Sequence, residues 1–251
     1  MGNLRRFASL LALSACLVAT TGHASGESGH LEDSGIDPGD IHSLQRGARN
    51  FMNYCAGCHS ARYVRYNTIG KYLELSEQQL IDSLMFNAEK TFETILASMP
   101  TDDAARWFGK APPDLSLMSR SKGADYIYNF LTKFYVVEDS ATGVNNLMLD
   151  GTSMPHVLWE LQGYQAAIFK THESEDGSVT TTFEGFEQIS AGLMNAEEYA
   201  GFVRDTVNFL AHIGEPIRSD RRKLGVWVLM FLFFFYIIAS MLKKQIWKDV
   251  N

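Results

Sequence analysis

Hydrophobic positions along the 251 residues form one long unbroken run near the C-terminus, at residues 225–242. As a helix with a rise of about 1.5 Å per residue, this uncharged run would span roughly 27 Å, close to the hydrocarbon thickness of a bilayer. Trp227 and Trp247, together with basic residues on both sides, are typical of interfacial anchors. We predict a basic linker at 218–224, a single transmembrane anchor at 225–242 and a cytoplasmic tail at 243–251.

A second apolar run lies at the N-terminus, behind Arg5 and Arg6. It ends in the small-residue pattern "GHA" at Ala24, which predicts an export signal at residues 1–24. A lipoprotein signal that would lipidate Cys16 is the alternative, although the apolar run continues past that cysteine. Basic residues flank the C-terminal run on both sides, but an exported, large preceding domain should lie on the periplasmic side.

Amphipathic patterns between these runs predict helices. Residues 25–40 are small, acidic and glycine-rich, which predicts an irregular lead-in. From Ile41 onward, apolar residues recur with helical spacing. A helix would place five of them on one face: Leu44, Ala48, Phe51, Cys55 and Cys58.

A second helix is predicted to follow Asn195, which has a capping-box partner in Glu198 and a stop signal in Gly214 and Pro216. Its broad apolar side requires a partner helix. The stretches "SEQQLIDSLMFNA" and "GADYIYNFLTKFY" also have helical periodicity, whereas "APPDLS" and "MLDGTSMPH" predict loops. The stretch "EDGSVTTTFEGF" predicts a short hairpin at most. The fold is therefore predicted to be mainly α with long loops.

The formal net charge is -7, and nearly all acidic residues lie between the two apolar runs. Such a surface disfavours nucleic acid as a partner. It would attract a basic protein by long-range steering, or it serves solubility alone.

Three cysteines are present, and removal of the signal would leave Cys55 and Cys58. A disulfide between residues this close would constrain almost no chain, so the pair has a chemical role. Three kinds of site could account for the cysteine pair in "CAGCH". A thioredoxin-like dithiol needs a βαβ context, and a zinc site needs two more ligands, usually a second closely spaced pair. Covalent haem c needs only Cys-x-x-Cys-His, in which His59 would be the proximal iron ligand.

A sixth iron ligand is expected to be methionine, which raises the reduction potential. Met99 and Met154 share the string Ser-Met-Pro. Met154 follows an Asp-Gly turn and is favoured on that basis. His156 is a further candidate, although we expect it to be a solvated loop residue.

The chain resembles cytochrome c1, the haem subunit family of the ubiquinol-cytochrome c reductase (cytochrome bc1) complex. The segments that carry the resemblance are "RGARNFMNYCAGCHSARYVRYNTIG", "APPDLSLMSRSKGADYIYNFLTKFY", the Ser-Met-Pro loop and the C-terminal apolar run. It implies a class I cytochrome c-like haem domain at 41–217, with long loops and insertions. One haem c would be bonded to Cys55 and Cys58, with His59 and Met154 as axial ligands.

The resemblance also implies roles for the segment that follows Pro112. Pro113 should pack beside the haem near His59, Arg120 or Lys122 should pair with a haem propionate, and Tyr126 should line the pocket. In this class, the helix that bears the attachment motif crosses a C-terminal helix, and Gly47 would permit that contact.

The implied function is to accept one electron from a Rieske iron-sulfur protein and pass it to a soluble or tethered cytochrome c, beside cytochrome b. The chain would then be a carrier within an oxidoreductase complex, in a bacterial inner membrane. Two alternatives remain at this point. One is a membrane-anchored c-type cytochrome of another electron-transport chain, and the other is a tethered thiol-disulfide oxidoreductase.

Overall fold

The computed structural model describes residues 31–173 and 179–248, so the predicted signal at 1–24 and the start of the lead-in lie outside the described residues. The described part is mainly helical. Its helices are α1 (Ile41–Tyr54), α2 (Tyr66–Tyr72), α3 (Glu77–Leu84), α4 (Thr101–Phe108), α5 (Met118–Lys122), α6 (Ala124–Thr132), α7 (Trp159–Gln162), α8 (Ala196–Gly214) and α9 (Arg218–Ile246).

Three antiparallel strand pairs complete the described fold. The strands are β1 (Ala61–Arg65), β2 (Thr94–Ile95), β3 (Phe134–Val136), β4 (Val144–Asn146), β5 (Gly163–Glu173) and β6 (Val179–Ala191). They pair as β1 with β2, β3 with β4, and β5 with β6.

Helices α1 and α8 cross at the centre of the core, as predicted. A Cβ atom added to Gly47 would lie 2.0 Å from the carbonyl oxygen of Asp205 and 2.8 Å from Cβ of Phe209, so only glycine permits this approach. One turn further along α1, the rings of Phe51 and Phe209 lie 5.6 Å apart between centroids. The expected contact between the two helices is confirmed.

Polar bonds fix the same crossing on its outer side. The Asp205 carboxylate accepts from the hydroxyl of Ser43 at 2.7 Å and from Nε of Arg46 at 2.5 Å. At its start, α8 has the predicted capping box, in which Asn195 accepts from the backbone N–H of Glu198 and the Glu198 carboxylate accepts in return. These bonds set the angle and register of the helix pair.

The predicted apolar face of α1 is confirmed for Leu44, Ala48 and Phe51, which are buried. It is wrong for Cys58, because α1 ends at Tyr54 and Cys55 is the C-terminal cap. The chain then turns, and the Cys58 N–H donates to the Cys55 carbonyl at 3.1 Å. The cysteines therefore lie at the end of the helix and in the turn that follows.

The two weaker helix predictions are confirmed as α3 and α6, and both predicted loops lack regular structure over most of their length. The hairpin prediction was too short. Strands β5 and β6 have 11 and 13 residues, with bulges that interrupt their register. Many of their large apolar side chains, such as Ile168 and Phe183, are exposed, so the strands lack the clean alternation by which a long hairpin is recognised.

Helix α9 contains the apolar run and is long and apolar enough to cross a membrane over Asp220–Ile246. It begins at Arg218, so the basic segment before the apolar run is itself helical. Only residues 215–217 separate it from α8, and Glu215 forms an ion pair with Arg221 at 2.5 Å.

Candidate haem attachment site

The Cys-x-x-Cys-His motif forms a tight turn at the end of α1. The backbone N–H of Cys55 donates to Phe51 at 2.9 Å, and that of His59 donates to the Cys55 carbonyl at 2.8 Å. Both thiols are free and half-buried. Burial raises the pKa of Cys55 to about 12 and also raises the pKa of Cys58. A reactive dithiol needs a lowered pKa, so this environment disfavours thiol-disulfide exchange.

Zinc binding by the side chains of this turn is also disfavoured. Within residues 31–173 and 179–248, no group of three or more His, Cys, Asp and Glu side chains is placed to hold a metal ion. A structural zinc site needs four such ligands.

His59 is oriented by the proline loop, which we define as residues 111–117. Its Nδ1 lies 2.8 Å from the carbonyl oxygen of Pro113. Because a carbonyl only accepts, Nδ1 carries the proton and Nε2 keeps its lone pair for a metal. Burial lowers the pKa of His59, against the opposing effects of the Pro113 bond and the Asp114 charge, which favours the neutral imidazole. The predicted proximity of Pro113 and His59 is present.

Asp114 holds the proline loop against the segment that follows His59. Its carboxylate accepts from the backbone N–H of Arg62 at 2.9 Å, from Nε of Arg62 at 3.2 Å and from the N–H of Ser116 at 2.9 Å. Burial alone would raise the pKa of Asp114, but the bonds from Ser116 and Arg62 outweigh it and hold that pKa below its usual value. Sequence reasoning missed this role of Asp114. The available signal was a serine two residues after the aspartate, a spacing that is typical of a local turn.

The structure separates the two candidate propionate partners. Lys122 places its Nζ 5.4 Å from the centroid of the Tyr126 ring. Arg120 lines a cavity with Glu215, near the end of α8, and has no such contact with an aromatic ring among the described residues. Tyr126 is half-buried, and its hydroxyl donates to the Met148 carbonyl at 3.4 Å. Lys122 and Tyr126 are therefore together, and Arg120 is not with them.

The two Ser-Met-Pro methionines have different surroundings. The backbone N–H of Met99 donates to the Gly57 carbonyl at 3.0 Å, so Met99 is bonded to the attachment turn itself. Met154 lies on a separate segment, is half-buried and packs against the hydrophobic core. Of the two methionines, only Met99 is thus bonded to the attachment turn, and Met154 would approach a haem from a different part of the chain.

His156 differs from its predicted state as a solvated loop residue. It is 6% exposed, and its ring stacks on Phe134 with a centroid distance of 5.0 Å and an interplanar angle of 8°. Burial lowers the pKa of His156 to about 4 and outweighs the nearby Gly163 backbone and Gln162 side chain, which act to raise that pKa. The rings of Phe134 and Tyr164 close around His156, and no helical or strand periodicity links these residues in the sequence.

The donor set fits haem c: two free thiols in one turn and a neutral imidazole held through Nδ1 beside them. With a mainly helical domain, these features are those of the class of c-type cytochromes, and the C-terminal helix is a candidate membrane span. Comparison with known proteins gives the family. A family model described as "Cytochrome C1 family" matches residues 33–250. The chain belongs to the cytochrome C1 family, whose members bind haem c and act in respiratory electron transport.

Two of the individual relatives match nearly the whole length of this chain, and a third matches most of it. The chain is 43% identical to cytochrome c1 of Allochromatium vinosum over 242 residues, which cover 96% of this chain and 98% of that protein. It is 38% identical over 246 residues, 98% of this chain and 100% of the relative, to a protein of Nitrosomonas europaea named ammonia monooxygenase gamma subunit. It is 27% identical to the mitochondrial cytochrome c1 heme protein of Neurospora crassa over 235 residues, 83% of this chain and 62% of that protein.

Proposed function

We propose that this chain carries one covalent haem c, bonded to Cys55 and Cys58, with His59 and Met154 as axial ligands. The observation that carries the proposal is the bond from Nδ1 of His59 to the Pro113 carbonyl, because it leaves Nε2 free and sets the plane of the ring. When bound, the haem supplies reversible one-electron chemistry.

The residues around the attachment turn orient and tune this site. The Pro113 carbonyl makes the imidazole of His59 more basic, and Asp114 keeps the proline loop in place. A thioether ligand from Met154 would favour the reduced state and a high potential. Lys122, beside Tyr126, is our choice for the propionate partner. The chain's own work is to hold these groups, so it is a carrier and not by itself an enzyme.

We further propose that the carrier accepts electrons from a Rieske iron-sulfur protein and delivers them to a soluble or tethered cytochrome c, as a subunit that contacts cytochrome b. Family membership and the candidate span support this assignment. The excess of acidic residues supports a basic acceptor. The haem domain would lie on the periplasmic side of a bacterial inner membrane, after removal of residues 1–24, with 225–242 as the anchor.

The covalent haem is tested on the full chain in membranes. A haem stain on a denaturing gel should label the wild-type band, because only a covalent cofactor survives denaturation. Replacement of both Cys55 and Cys58 by alanine should abolish the stain. An unstained wild-type band with two titratable thiols would favour the thiol-disulfide oxidoreductase instead. Co-purification with cytochrome b separates the proposed complex from another electron-transport chain.

The axial ligand is tested by redox titration of Met154→Ala, with Met99→Ala as the matched control. Met154→Ala should keep the haem stain but lower the reduction potential by more than about 100 mV, since axial ligands strongly set this quantity. Met99→Ala should leave the potential close to the wild-type value. A drop in Met99→Ala with no change in Met154→Ala would reverse the ligand assignment.

A further inference from the structure

Met154 lies between two buried residues of the methionine loop, which we define as residues 147–158. On one side is Thr152, which is buried and whose hydroxyl accepts the backbone N–H of Met154 at 3.4 Å. On the other side, Pro155 fixes its own φ angle and is followed directly by buried His156. The position of Met154 therefore depends on what holds His156.

His156 is held by rings from two neighbouring strands. Its imidazole lies parallel to Phe134 of β3, which is 1% exposed, and edge-on to Tyr164 of β5 at 6.4 Å. Both rings belong to elements outside the methionine loop. They form a slot that is built independently of Met154 and into which the loop inserts one side chain.

Hydrogen bonds hold the backbone on either side of Phe134. The side-chain amide of Gln165 donates to the Phe134 carbonyl at 2.8 Å and to the Thr132 carbonyl at 3.1 Å, and that of Gln162 donates to Thr132 at 3.0 Å. In contrast, Nε2 of His156 is buried with no hydrogen-bond partner among the described residues. The parallel stack on Phe134 is therefore the contact that we take to seat the ring.

The same row of rings reaches Tyr126, which lies beside Lys122 and which we propose lines the haem pocket. Phe134 contacts Phe130 edge-on at 5.2 Å, and Phe130 stacks on Tyr126 at 6.4 Å and 18°. A single aromatic row thus joins the methionine loop to α6. It fixes the distance between the proposed axial ligand and one wall of the pocket.

We propose that His156 is a positioning residue for the axial methionine. Its ring, clamped on Phe134, holds the methionine loop so that the sulfur of Met154 stays in the iron coordination site, and it does not itself touch the haem. This inference rests on the proposed ligation by Met154.

The test measures how often the methionine leaves the iron. Carbon monoxide binds ferrous haem only when the sixth position is open, so the fraction of reduced haem that binds carbon monoxide reports that population. The full chain in membranes is used, and the red charge-transfer absorption of methionine-ligated ferric haem is recorded in parallel. His156→Ala should raise the carbon monoxide-binding fraction roughly two- to tenfold, as expected for loss of one aromatic contact. His156→Phe keeps the stack and should stay near the wild-type fraction.

Leu80→Ala is the control for general destabilisation. Leu80 is 2% exposed and lies on α3, so this variant should melt at a lower temperature but bind carbon monoxide like the wild type. If His156→Ala does not accumulate, Phe134→Leu removes the other half of the stack and should give the same rise.

Two results would overturn the proposal: an unchanged carbon monoxide-binding fraction in His156→Ala or Phe134→Leu, or an equal rise in His156→Phe and His156→Ala. Met154→Ala separates this failure from that of the proposed ligand. If Met154→Ala does not open the sixth position, the ligand assignment itself is wrong, whatever the behaviour of His156.

Discussion

Gly47→Ala is the sharpest test of how the haem domain is assembled. The added methyl group would lie 2.0 Å from the Asp205 carbonyl oxygen, where ordinary contact begins at 3.4 Å. Because the obstructing atom belongs to the backbone of α8, no side-chain rotation relieves the clash. Helices α1 and α8 must separate by about 1.4 Å, which also loosens the Phe51–Phe209 contact and the bonds to Asp205.

The expected cost follows from two opposing effects. Overpacking of a core costs about 1–3 kcal/mol, and a rigid obstacle places this case near the upper end. Alanine favours the helix over glycine by about 1 kcal/mol at most. The free energy of unfolding should therefore fall by about 2 kcal/mol, which corresponds to a loss of roughly 4–8 °C in Tm for a chain of this size.

The assay is thermal unfolding of the haem-loaded full chain in detergent, followed by the loss of the Soret absorption. Gly201→Ala is the matched control, because Gly201 also lies inside α8 but an added Cβ there has nothing within 4 Å. That variant should be as stable as the wild type or slightly more so. A Gly47→Ala protein that melts no lower than Gly201→Ala would refute the close approach as described.

Two further predictions concern charges near the attachment turn. Lys122→Gln should lower the reduction potential by roughly 10–40 mV in a redox titration, because an exposed cation near the haem disfavours oxidation only weakly. Arg120→Gln should leave the reduction potential unchanged. A drop in Arg120→Gln with no change in Lys122→Gln would return the propionate role to Arg120. Asp114→Asn should lower the Tm at neutral pH, because the depressed pKa of Asp114 stabilises the folded chain above the usual aspartate pKa of about 4. The Tm difference from the wild type should shrink as the pH falls from about 4 through the lower pKa that Asp114 has in the folded chain. A pH-independent difference would show that the charge is not what holds the proline loop.

The features that the sequence predicts well are those set by local chemistry. The capping box at Asn195 and Glu198, the length of the C-terminal apolar run and the Cys-x-x-Cys-His spacing each depend on residues within a few turns of one another. The contact at Gly47 needed the family resemblance, since nothing near Gly47 in sequence indicates which helix it faces.

The features that were missed depend on which side chains meet in the folded chain, or on where a local turn ends a helix. His156 is buried because strands β3 and β5 bring Phe134 and Tyr164 around it, and neither strand has a strong local pattern. The choice between Arg120 and Lys122 depends on which side of a five-residue helix faces Tyr126, which spacing alone does not settle. Helix α1 ends before Cys58 because the attachment turn closes on Cys55, although the apolar spacing continues.

The short connection between α8 and α9 limits how far the domain can move relative to helix α9. The three connecting residues span about 10 Å at most. The ion pair between Glu215 and Arg221 further restrains the position of α9 relative to α8. With α9 in a membrane, the domain would keep a nearly constant height above the lipid surface. A proposed redox partner located farther away would then have to move to this domain, because the domain could not move to the partner.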